Sequence, residues 1–151
     1  MKTKHPLLVF VLVMLLLFQV LSALVGFYMM LIAPKGSAIR IPLSLLENSP
    51  FSSFLIPGLI LLLFLGFFPG ITLYGLLKVP DWKWCEKLNI YKDKKWPWTF
   101  SLYFGIILIC WIIVEEALIG GGHLLQTVYC SLGVFILIAT LLPKMMKFYS
   151  R

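Results

Sequence analysis

The chain has 151 residues, 61% hydrophobic and 13% charged, with a formal net charge of +7. Soluble proteins carry roughly 45–50% apolar and about 25% charged residues, so this composition excludes a soluble domain and leaves apolar surface that has to face lipid. At about 20 residues per span the length holds four helices with short loops as a single transmembrane domain, 1–151. The positive charge lies in segments flanking the apolar runs, with no recognition module between them. It therefore reads as a topology signal and not as a nucleic-acid surface.

Lys2, Lys4 and His5 precede Pro6, and the apolar run from Leu7 to Ala33 predicts a first span over 7–33. A basic start followed by leucines also describes a secretory leader, with Val20-Leu-Ser22 as a passable cleavage site. A leader core, however, is only about 7–15 residues long, and this run is read as a span. Gln19, Ser22 and Gly26 fall at i, i+3 and i+7 on one side of it, the pattern expected of a helix-packing face.

Pro34, Gly36, Pro42 and Pro50 break the next stretch, so 34–53 is expected as a loop in which Pro42 to Asn48 lies along the interface as a short amphipathic turn. Ser49-Pro50 has the form of a helix start, serine as N-cap and proline where its missing N–H costs nothing. The second span is therefore predicted at 51–77. It carries Pro57-Gly58 and Pro69-Gly70, and each proline is expected to kink it. Gly66 and Gly70 supply the small-xxx-small spacing of closely packed membrane helices.

From Lys78 to Pro97 six lysines alternate with Asp81, Glu86 and Asp93, and Trp82, Trp84, Trp96 and Trp98 bracket them. Tryptophan concentrates at membrane–water boundaries and lysine on the cytoplasmic side, so this segment is expected to anchor along the inner surface. The third span is predicted at 98–120 and the fourth at 124–143, joined as a tight hairpin by Gly120, Gly121 and Gly122. With both termini cytoplasmic, eleven of the thirteen basic residues lie inside and only Lys35 and Arg40 outside, as the positive-inside rule requires. The fold class expected is an all-α integral membrane four-helix bundle, a multi-pass protein of the plasma membrane.

The stretch Ser49-Pro-Phe-Ser-Ser-Phe-Leu-Ile-Pro-Gly58, followed by Trp111 to Gln126 and Tyr129, resembles a group of small bacterial four-span membrane proteins over roughly 47–143. That resemblance implies a helical bundle of bacterial origin and brings no activity with it. In the group, the position of Glu115 or Glu116 is often a neutral amide, from which this chain departs.

Candidate chemistry gathers at the outer end of the third and fourth spans. Glu115 and Glu116 lie near the membrane edge, and neighbouring helix residues point about 100° apart, so one faces the bundle and the other the head groups. His123, Gln126, Thr127, Cys130 and Gly133 follow i, i+3, i+4, i+7 and i+10 and predict an inward polar face on the fourth span. Glu115 or Glu116, with His123, Gln126, Thr127 and Tyr28, then forms a candidate polar ligand pocket, with Asn48 or Ser52 at the same level. The competing reading is a set of interhelical hydrogen bonds. No metal-ligand spacing, cofactor motif or nucleophile arrangement is present, and no cofactor or metal is expected. Cys110 and Cys130 lie mid-span on different helices and can bridge only if their Cα atoms come within about 7 Å.

Three functional classes follow. The first is a non-enzymatic module that binds a lipid-like ligand or serves a larger membrane complex or a homo-oligomer. The second is a small transporter exchanging protons at Glu115 or Glu116. The third is an intramembrane enzyme acting on lipid with those carboxylates and His123 as acid and base. Membrane lipids are the expected partners in all three, and nucleic acid in none.

Overall fold

The computed structural model describes residues 6–151; the basic start Lys2 and Lys4, and His5, lie outside the described residues. The described chain is helical, and four of its helices are long and apolar enough to cross a membrane: Leu7–Ile32, Leu55–Lys78, Trp96–Ile119 and Leu124–Leu141. Three lie within about two residues of the predicted ends; the second starts four residues later than expected.

That later start has a local cause. The Ser49 hydroxyl donates to the Leu46 carbonyl (2.8 Å) and accepts from the Phe51 N–H (3.3 Å), closing the short 3-10 turn Leu43–Leu46 instead of capping a span. The helix begins only at Leu55, with Gly58 N–H bonding back to Phe54. Pro57 then falls in the first turn, where N–H groups have no intrahelical partner anyway, so it need not kink the span. Pro69 lies deep inside the helix, and the turn before it, Leu62–Phe67, widens to a π-helix. In an α-helix the N–H of residue 69 would serve the Leu65 carbonyl, and proline has none. The Gln19 side chain of the first span supplies the donor, Nε2 to Leu65 O at 3.3 Å.

The third and fourth spans form an antiparallel hairpin around facing glycines. A Cβ on Gly105 would lie 3.3 Å from the Gly133 carbonyl and 2.6 Å from Leu137, and one on Gly133 would lie 3.2 Å from the Gly105 carbonyl. Backbones approach there because neither residue has a side chain. Gly120 and Gly122, at φ 86° and 92°, make the turn.

Most of the packed core lies towards the end of the bundle that carries the lysine-rich segment, the end expected to face inward. Leu12, Leu16, Leu76, Phe104, Leu108, Ile136, Met145 and Tyr149 are all fully buried in it. The lysine-rich segment is not a loose surface anchor. Trp96 and Trp98 are buried, their indole N–H groups donating to Pro80 O and Thr140 O (both 2.8 Å), while Trp84 remains exposed. Buried Asn89 donates to Lys94 O (2.8 Å) and accepts from Thr99 (2.6 Å).

The chain end folds back onto this segment. Leu142 breaks the fourth span, and a short helix, Pro143–Phe148, leads to Tyr149, whose hydroxyl donates to Leu76 O (2.8 Å). Lys95 N–H donates to Tyr149 O (2.8 Å), Arg151 N–H donates to Asp93 O (3.0 Å), and Arg151 pairs with Glu86. Lys94 pairs with Asp93, whose carboxyl that hydrogen bond holds below its ordinary range. Burial, and after it the Glu86 charge, pushes the Cys85 thiol up to about 11, and burial also raises the Tyr149 phenol.

Candidate functional site

The other half, expected to face outward, is built differently. A cavity of about 400 Å³ lies between all four spans and is covered by the loop between the first two. Ile39, Leu45, Leu46, Phe51 and Phe54 line it from the loop, Leu61 and Leu65 from the second span, Leu108 and Ile112 from the third, and Leu125 and Tyr129 from the fourth. Its size falls within the range of small-molecule sites, which are apolar clefts with a few placed polar groups.

Those polar groups come mainly from the first and third spans. Gln19, Ser22 and Gly26, expected to be a packing face, line the cavity. Gln19 is 2% exposed and lies about 18 Å along the helix from Leu7 at 1.5 Å per residue, near the middle of the first span. With Nε2 committed to Leu65, its Oε1 is buried and accepts no hydrogen bond among the described residues. The amide cannot turn over without setting oxygen against the Leu65 carbonyl. Glu115, about 6 Å of helix from Ile119, lines the outer part of the cavity, and Trp111 Nε1 donates to its Oε2 at 3.2 Å across one helical turn.

Of the two carboxylates, then, Glu115 faces the bundle and Glu116 is exposed, 100° around the helix. The other predicted pocket residues are not in the cavity wall. Tyr28 is exposed because it follows Gln19 by nine residues, half a turn out of phase. His123 immediately precedes the fourth span in extended conformation, so its exposed side chain does not follow the helical phase. Gln126 is buried, but its amide is spent on the hairpin: Nε2 donates to Gly120 O (3.0 Å) and Oε1 accepts from His123 N–H (3.3 Å). Thr127, one residue on, turns outward. The expected inward polar face of the fourth span is replaced by Gln126, Gly133, Ile136 and Thr140. Asn48 and Ser52 are exposed, and Ser49 takes their place in the wall.

The sequence reading missed Gln19 as a site residue, although a lone amide in a leucine-rich span is a signal in itself. It also missed Trp111, whose i, i+4 spacing to Glu115 foretold their contact. Cys85, Cys110 and Cys130 are free thiols. Among the described residues no three His, Cys, Asp or Glu side chains gather as a metal site. No protein-family model matches the chain, and no curated protein or solved structure matches it.

Proposed function

We propose that this protein is a non-enzymatic module of a bacterial plasma membrane, with both termini cytoplasmic, that holds a lipid-like ligand between its spans. The observation that carries the reading is the apolar cavity of about 400 Å³ between all four spans, roofed by the loop and carrying a few placed polar groups. The segment Ser49 to Gly58 supports grouping the chain with the four-span proteins it resembles. Four of its residues, Ser49, Phe51, Phe54 and Pro57, line the cavity, which gives the motif a physical role there.

The orientation follows from charge. Tyr149 and Arg151 bond to the lysine-rich segment, so the basic residues of the described chain, apart from Lys35 and Arg40, share the end away from the cavity. By the positive-inside rule that end is cytoplasmic and the cavity belongs to the outer leaflet. An enzyme using Glu115 with His123 is less well supported, because His123 is not part of the cavity wall.

The test is purification from native membranes followed by lipid mass spectrometry, beside a Ser22→Phe variant that fills part of the cavity. One enriched lipid-like species on the wild-type protein, lost from Ser22→Phe, is expected. A wild-type protein that retains only bulk membrane lipid would end the proposal.

A further inference from the structure

The buried polar atom left without a partner beside the cavity, among the described residues, is an acceptor. Ser22 Oγ donates to Gln19 O (3.0 Å), Ser49 Oγ to Leu46 O, Trp111 Nε1 to Glu115 and Gln19 Nε2 to Leu65 O. The Tyr129 hydroxyl can donate or accept and so selects neither. What remains is Oε1 of the cavity-lining Gln19, about midway along the first span, and the second oxygen of Glu115 towards the rim. A buried acceptor without a donor is among the costlier features a fold can carry. A hydrocarbon chain filling the cavity would leave Gln19 Oε1 unpaired.

We propose that the ligand is a neutral amphiphile led by a hydroxyl group, which lies with its hydroxyl donating to Gln19 Oε1 and its apolar body towards the outer rim. This rests on the lipid-binding reading above and adds the chemical class and the orientation. A hydroxyl is favoured over an ammonium because a charge at that depth is far costlier to desolvate, and the group that could balance it, Glu115, is near the rim. A carboxylate-headed lipid fits less well, because an ionised carboxylate brings no donor to Oε1.

The experiment uses the full chain in phosphatidylcholine nanodiscs. A bromine-tagged dodecanol quenches Trp111 fluorescence, with Trp111→Phe as the blank, and unlabelled 1-dodecanol, methyl dodecyl ether and dodecylammonium compete, each counted per lipid to remove partitioning. The alcohol is expected to compete about tenfold better than the ether, the factor associated with one satisfied buried acceptor. Gln19→Leu should abolish that preference by weakening the alcohol alone. Equal competition by alcohol and ether in the wild-type protein overturns the hydroxyl assignment and leaves the apolar cavity reading standing. Ammonium competing best, and losing its advantage in Glu115→Gln, also overturns it by moving the head group to the rim. No specific quenching by the tagged alcohol, together with no retained native lipid, removes both.

Discussion

The bond between Gln19 and the Leu65 carbonyl exists, by the argument above, because Pro69 cannot donate one turn further on, and a double-mutant cycle isolates that dependence. Gln19→Leu alone is a poor test. It deletes the Nε2 donor and leaves a buried carbonyl short of a partner, at about 1–3 kcal/mol, but it also deletes the unsatisfied Oε1, a gain of similar size. Its net effect is expected within about 1 kcal/mol of neutral. In the cycle with Pro69→Ala the Oε1 term and the volume change appear on both sides and cancel. With alanine at 69 a backbone N–H is available to Leu65, so losing Gln19 should then cost less. The coupling should match a membrane interhelical hydrogen bond, about 0.6–1.7 kcal/mol, with Gln19→Leu more harmful when Pro69 is present. Reversible unfolding in mixed micelles, measured for the four proteins, gives the number. Additivity within about 0.3–0.5 kcal/mol would show that Leu65 has another donor and that Pro69 does not explain the buried glutamine.

Other expectations concern the hairpin and the inner end. Gly133→Leu puts side-chain atoms where Ile109 (2.8 Å) and the Gly105 carbonyl (3.2 Å) already stand, so it should cost at least the 1–3 kcal/mol typical of overpacking; an unfolding midpoint equal to wild type would argue against this crossing. Cys85, fully buried with its thiol pushed up to about 11, should resist a maleimide at pH 7.5 in the folded protein and react after unfolding in detergent. The same group, with Tyr149, sets an alkaline limit. Both hold their protons more tightly when folded, so their contribution is intact below pH 9 and declines as pH rises from 9 towards 11, where the unfolded chain ionises first. Cys85→Ala should flatten the lower part of that decline; an unchanged stability profile between pH 9 and 11 would contradict it. Tyr149→Phe removes the hydrogen bond to Leu76 O (2.8 Å) and should destabilise by about 0.5–1.5 kcal/mol.

Four spans were legible because hydropathy at a length of about 20 residues is set by the bilayer and by nothing tertiary. The split between Glu115 and Glu116 was legible too, since it follows from 100° per residue. The remaining expected pocket residues stand outside the cavity wall for different reasons. Tyr28 is half a turn from Gln19, His123 precedes its helix in extended conformation, Gln126 spends its amide on the hairpin, and Thr127 turns out because sequence spacing gives relative phase, not absolute rotation. Gln19, Ser22 and Gly26 were correctly placed on one side of the first span, but only the packing of Leu12, Leu16 and Ala23 says which way that side faces. On the fourth span the polar set was centred one residue too far along. Gln126 turned in and took Thr127 out with it. The second span misled through Ser49-Pro50, whose local chemistry suits a helix start as well as the turn it makes. The turn is accompanied by burial of Leu46 on the inner side of the loop, a tertiary contact that no local rule encodes.

The two ends of the bundle divide the work. At the inner end, Trp96, Trp98, Asn89, Tyr149 and Arg151 each spend donors on backbone carbonyls, fastening the loop, the fourth span and the chain end together. Such bonds tie the segments to one another and leave those donors nothing for a ligand to satisfy. At the outer end the third span has no buried residue after Ile112, and the loop is fixed at its base by Phe54 N–H to Pro34 O (2.8 Å). Helices held rigidly at one end can stay apart at the other without losing their register. This explains how a bundle of 151 residues tolerates a 400 Å³ gap around Gln19 and Glu115. If the inner fastening sustains the gap, loosening it at a distance should change ligand retention without touching the cavity wall. Arg151→Ala, which removes the Glu86 pair and the bond to Lys94 O (3.1 Å), should therefore lower retention of the bromine-tagged alcohol while Trp111 and Gln19 stay unaltered. Retention equal to wild type would mean that the cavity is held open by its own wall.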